Sequence, residues 1–153
     1  MGNFVDLVSR ELTVLLIAML PAVELRGAVP IGVALGMPLG EAFLISYLGS
    51  LLPVVPLVLL IRPFVKAAMR SPHWYRFGRW LQKYSLRRSQ KVRRFGALGL
   101  FIIVAIPLPG TGVWTGSMIA GLLGLPLRMA LTSIAAGNLV AGLIVTFLTH
   151  QLG

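Results

Sequence analysis

Residues 42–61 and 129–149 contain no charged side chain. At a rise of about 1.5 Å per residue, each stretch is long enough as a helix to cross a hydrocarbon core about 30 Å thick. Arg62 and Arg128 stand beside them as interfacial anchors. In lipid the backbone must satisfy its own hydrogen bonds, so a chain built around two such blocks folds as helices. The rest of the 153 residues agree: 57% are hydrophobic, only 12% are charged, and the mean hydropathy is +0.88. That balance does not make a water-soluble surface and predicts an all-α integral membrane protein. There is no cysteine, which excludes disulfides, thiolate nucleophiles and Cys-based zinc sites. His73 and His150 do not form a metal set, and no cofactor is expected.

Charge is segregated along the chain. Of 14 basic residues, 11 fall within 62–94, and no Asp or Glu follows Glu41. By the positive-inside rule the 62–98 connector faces the cytoplasm and sets the orientation of the apolar blocks. Within it Trp74, Phe77, Leu81 and Tyr84 recur at helical spacing, with Arg76, Arg79, Lys83 and Arg87 on another face. This is the pattern of a basic amphipathic helix on anionic lipid headgroups; between two membrane blocks, nucleic acid is not the expected partner. Asp6, Arg10 and Glu11 precede the first apolar run, so residues 1–11 read as a retained interfacial segment rather than a cleaved signal.

Sliding the chain by 88 positions lays 12–61 onto 100–149. Pro21 falls on Pro109, Gly36 on Gly124, Pro38 on Pro126, Ala42 on Ala130 and Gly49 on Gly137. Helix breakers are repeated, not only common apolar residues. The first apolar pieces, 12–20 and 99–106, reach only about halfway across a bilayer. They suit re-entrant hairpins, each followed by a full crossing. A hairpin plus one crossing ends opposite its start, so the second unit, 99–153, is inverted relative to the first, 12–61, as in carriers with a midplane site. The expected architecture is therefore one membrane domain, an inverted repeat of re-entrant helical hairpin plus transmembrane helix.

The interruptions hold the chemistry. LPAVELRGAVP, residues 20–30, puts Glu24 and Arg26 in an otherwise uncharged, membrane-length region, where a charge normally faces a cavity or a partner. Side chains two apart diverge in a helix but share a side in extended backbone. With Pro21, Gly27 and Pro30 around them, an unwound segment facing one cavity is expected. Glu24 is the candidate proton-coupling carboxylate and Arg26 a bidentate phosphate ligand; the bland alternative is an ion pair that locks the hairpin. IPLPGTGVWTG, residues 106–116, offers Thr111, Trp114 and Thr115 as donors on a loop shaped by Pro107, Pro109, Gly110 and Gly112. Exposed amides beside a helix N-terminus favour an anion, although a tight turn with Trp114 as interfacial anchor explains the same residues. Asn138, in the last crossing at the position that matches Ser50 in the first, is a second-tier substrate ligand or a helix-to-helix bond.

ELRGAVP and PLPGTGVWTG resemble the small multidrug export protein family, and nearly the whole chain is covered. That family resembles a compact relative of the DedA/VTT superfamily. The resemblance implies paired re-entrant hairpins, a multi-pass protein of the bacterial inner membrane, and lipid movement between leaflets; in DedA proteins this is linked to undecaprenyl phosphate recycling and proton motive force. By this resemblance Glu24 stands for the acidic hairpin residue. The arginine pattern after the second DedA hairpin is not reproduced, since only Arg128 is nearby.

These readings lead to a carrier of an amphipathic or lipid-phosphate substrate, most simply undecaprenyl phosphate, coupled to protons. Efflux of cationic drugs through Glu24 is the rival, and a non-transporting scaffold the third reading. An enzyme is not expected, because no Ser/His, paired-carboxylate or metal constellation is present. Re-entrant backbone needs protein or water around it, so a homodimer or larger assembly is expected.

Overall fold

A computed structural model describes residues 2–108 and 110–153, except for the side chain of Lys91. Met1 and Pro109, the latter one of the expected loop residues, lie outside the described residues. The described chain is all-helical: α1 (Gly2–Met19), α2 (Glu24–Ala34), α3 (Leu39–Leu51), α4 (Val54–Arg70), α5 (Tyr75–Arg88), α6 (Gln90–Phe95), α7 (Ala97–Ala105), α8 (Val113–Leu123) and α9 (Leu127–Leu152).

Among the described residues, two helical stretches have the length and apolarity to cross a membrane, Leu39–Arg70 and Leu127–Leu152. Most of each is not covered by the rest of the protein: Leu44, Leu48, Leu59 and Leu60 on the first, and Leu143, Phe147 and Leu148 on the second, are exposed. Water would penalise such an outward apolar surface, whereas lipid would not. The first stretch is not one smooth rod. Leu52 and Pro53 interrupt it between α3 and α4, since Pro53 has no N–H for the helical ladder. It also extends to Arg70, beyond the expected end at residue 61.

Residues 2–11, expected as a short interfacial segment, form one helix with the apolar residues that follow. No Gly or Pro lies between residues 3 and 19, and α1 runs unbroken across that range, burying Val14 and Ala18 beside Ala28, Met37 and Ala42. The second half of the chain has its own core, in which Leu100, Val104, Val113, Ile119 and Ile134 meet Val54 and Val58 of α4. Ile61, Val65 and Leu81 join α4 to α5 beneath the basic connector. On α5, Arg76, Arg79, Lys83 and Arg87 are exposed as the sequence pattern predicts.

Local devices recur 88 positions apart. Gly36 and Gly124 both adopt left-handed backbone, with φ +84° and +68°. At each, a turn closes: Met37 N–H donates to Gly32 O at 3.1 Å, and Leu125 N–H to Ala120 O at 3.0 Å. These glycine-ended helix stops are followed by Pro38 and Pro126, which open α3 and α9 with nearly identical dihedrals. Gly49 and Gly137 serve close approach instead. A Cβ at Gly49 would lie 2.7 Å from Leu15 O of α1, and one at Gly137 2.7 Å from Phe101 O of α7. Small residues thus let α3 rest on α1, and α9 on α7, with backbones nearly touching.

Candidate anion site at the helix breaks

The first break is shorter than the sequence suggests. Only residues 20–23 leave the helix; α2 starts at Glu24 and continues through Pro30, where an unwound segment was expected. In apolar surroundings an extended 20–30 segment would strand its amides, and a helix satisfies them. Pro30 is tolerated on the exposed side of α2. Glu24 and Arg26 nevertheless meet, because Glu24 has φ +49°, the one positive value among described non-glycine residues. This left-handed start turns the Glu24 side chain away from its regular helical direction, and Arg26 Nη1 donates to Glu24 Oε2 at 2.7 Å. Such backbone is strained by about 1–3 kcal/mol and persists only when its surroundings hold it.

The second break holds it. Trp114 N–H donates to Glu24 Oε1 at 3.0 Å and Val113 N–H to Oε2 at 3.4 Å. Both amides belong to the first turn of α8, where helix geometry leaves N–H groups without internal partners and the dipole favours negative charge. Arg26 does the reverse at the end of α7: its Nη2 donates to Val104 O and Ile106 O, both at 3.2 Å. One carboxylate caps the start of α8 and one guanidinium caps the end of α7. Gly112 makes room, for a Cβ there would collide with Glu24 Oε2 and Arg26 Nη1. Glu24 is 4% exposed, and Arg26 Nε is buried with no hydrogen-bond partner among the described residues.

These groups line one wall of an open cleft of about 730 Å³, with Pro107, Gly110, Thr111 and Thr115 across from Glu24 and Arg26. The expected donors are partly spent within the loop. The Thr111 hydroxyl lies 2.7 Å from both Ile106 O and Leu108 O, and Thr115 Oγ1 donates to Gly110 O at 3.1 Å. Two of the expected ligands stand outside the lining of this cleft. Trp114 contributes its amide, but its indole Nε1 donates to Met19 O at 3.0 Å and its ring lies outside the cleft. Asn138 is also outside: Nδ2 donates to Ser50 Oγ at 2.7 Å, joining α9 to α3 where both are buried. Pro21 lies in the first break, Gly27 in α2 on the cleft wall, and Gly110 and Gly112 have φ +74° and +133°.

Sequence reasoning missed the tether that Tyr84 and Arg88 of α5 place on Gly110 of the cleft wall. Arg88 Nη1 donates to Gly110 O at 2.8 Å and Tyr84 Oη to the same oxygen at 3.3 Å, while the guanidinium stacks 5.0 Å from the Tyr84 ring centroid. Their spacing of four, which places both on one helix face, was the available signal.

The bilayer-length apolar helices, with an ion pair caught between broken helix ends, define the class: a helical protein of membrane type. The chain belongs to the family described as "Putative small multi-drug export protein", whose profile matches residues 24–144. No curated protein and no solved structure matches it. The matched span begins at Glu24 and takes in Arg26, the second break and most of α9.

Proposed function

We propose that this protein is a membrane transporter that carries an anionic amphiphile between leaflets, with a lipid phosphate such as undecaprenyl phosphate as substrate and proton coupling through Glu24. The observation that carries the reading is the seat Glu24 occupies. Its carboxylate takes two α8 amides and an Arg26 N–H, a donor set suited equally to a phosphate. Protonation of Glu24 removes the resident anion's charge, and the substrate's phosphate then takes over the amides and the Arg26 fork, including the idle Nε. Deprotonation on the other side reverses the exchange, so anion and proton travel together. No step calls for covalent chemistry, and we read the protein as a carrier rather than an enzyme.

Two-sided access follows if the halves are inverted repeats, each a re-entrant hairpin and a crossing. Positions 88 apart touch one another: Asn138 bonds Ser50, and Tyr47 Oη donates to Ala135 O at 3.0 Å. Contacts between equivalent positions are what an approximate two-fold axis between the halves would produce. In this reading the protein is a multi-pass protein of the bacterial inner membrane, its basic α5 rests on anionic headgroups, and a second copy shields the hairpins.

The family description favours a second reading, export of cationic compounds with Glu24 as the shared site. Arg26 beside Glu24 opposes it, because a cation entering there meets a guanidinium 2.7 Å from the carboxylate. The deciding measurement is translocation of a labelled lipid phosphate in liposomes. Wild type should move it, and folded Glu24→Gln and Arg26→Ala variants should lose most of that rate; equal rates in all three would end the proposal.

A further inference from the structure

Beside the polar cleft runs a groove of about 670 Å³ with a wholly apolar lining. α4 supplies Leu57, Leu60 and Phe64, α5 supplies Phe77 and Trp80, and α8 supplies the Trp114 ring. Each set follows helical spacing, so the groove follows from three apolar helix faces that do not close on one another. Leu60, Phe64 and Trp80 remain exposed.

Groove and cleft are neighbours at two points. Pro21 lines both. Trp114 joins them as well, its amide bonded to Glu24 and its indole in the groove. On α5 an aromatic ladder runs the same way: Phe77 stacks on Trp80 at 6.0 Å, Trp80 on Tyr84 at 5.5 Å, and the Tyr84 hydroxyl ends on Gly110 O at the cleft. A charged pocket and an oily channel side by side match a molecule with an anionic head and a hydrocarbon tail, and match neither a free inorganic anion nor a compact cation.

We propose that the groove seats the hydrocarbon tail of the molecule whose anionic head enters the Glu24–Arg26 cleft. The inference rests on the proposed function and adds where the tail lies. Trp114 is then the hinge of recognition, sensing the head through its backbone and the tail through its ring. Leu57, Phe64 and Trp80 select for a long, flexible chain.

The natural tryptophans provide the test: Trp80 and Trp114 line the groove and Trp74 does not. Single-tryptophan proteins, made by Trp→Phe at the other two positions, are purified in maltoside detergent and titrated with dodecyl phosphate brominated along its chain. The expected result is saturable loss of most Trp80 and Trp114 emission, little loss for Trp74, and recovery with excess unbrominated dodecyl phosphate. Calorimetric binding of the same probe, weakened by Arg26→Ala and retained in part by Arg26→Lys, reads the head separately. If the probe binds through Arg26 but leaves Trp80 and Trp114 bright, the tail lies elsewhere and this inference falls while the proposed function stands. Quenching that excess dodecyl phosphate does not reverse marks a general lipid surface and also overturns the inference. Absence of any binding overturns both.

Discussion

The Glu24 carboxylate lies against Gly112, which stands 88 positions further along the chain and so occupies the corresponding place in its second half. Position 112 cannot carry a side chain. Gly112 has φ +133° and no room for a Cβ. Gly112→Ala should therefore destabilise the protein by at least ~2 kcal/mol, combining backbone strain with displacement of the ion pair. Thermal unfolding in detergent measures this. Gly40→Ala is the control, since a Cβ there meets nothing within 4 Å; it should change stability by less than about 1 kcal/mol.

Removing Arg26 leaves a buried carboxylate without its counter-charge. Arg26→Met should cost about 3 kcal/mol, and Glu24→Gln in the same molecule should return part of that loss by removing the unpaired charge. A double-mutant cycle on unfolding free energies reads the coupling. Strict additivity would show that the pair does not act as a unit.

Much of this was legible in the sequence, for identifiable reasons. Apolar blocks free of charge gave the two bilayer-length stretches, and repeated Pro and Gly marked both helix stops at Gly36 and Gly124. Glu24 and Arg26 stood out because charges are rare in such a region. What pairwise spacing could not show was the left-handed backbone at Glu24. A rule based on regular helices separates residues 24 and 26, and only the capping demand of α8, whose bonded amides are 89 and 90 positions away, makes the irregular start worthwhile. For Asn138 a substrate ligand and a helix-to-helix bond both stayed open, because polarity within a crossing looks the same whether its partner is a ligand or Ser50. Arg88 went unnoticed because it was one of many basic residues on α5, and its acceptor, Gly110 O, is a backbone atom that composition cannot reveal.

The bond between Asn138 and Ser50 is buried and remote from the cleft. Inter-helical bonds of this kind contribute about 1 kcal/mol within membranes. Asn138→Ala should lower stability by that amount and leave affinity for an alkyl phosphate unchanged. Calorimetric titration beside a denaturation series checks both. A tenfold loss of affinity with unchanged stability would return Asn138 to the binding site.

Arg88 and Tyr84 tether the loop between α7 and α8 by sharing Gly110 O. Both are at the protein surface, so each bond should contribute only about 1 kcal/mol, equivalent to a roughly fivefold change in the open population of the loop. Because the chain has no cysteine, Thr111→Cys provides a single reporter. Its labelling by a water-soluble maleimide should rise several-fold when Arg88→Ala is added, and less with Tyr84→Phe, whose 3.3 Å bond is the longer of the two. An Arg88→Lys variant should fall between wild type and alanine, because an ammonium can reach the carbonyl but cannot keep the flat stacking on Tyr84. If labelling is the same in all four proteins, α5 does not hold the loop.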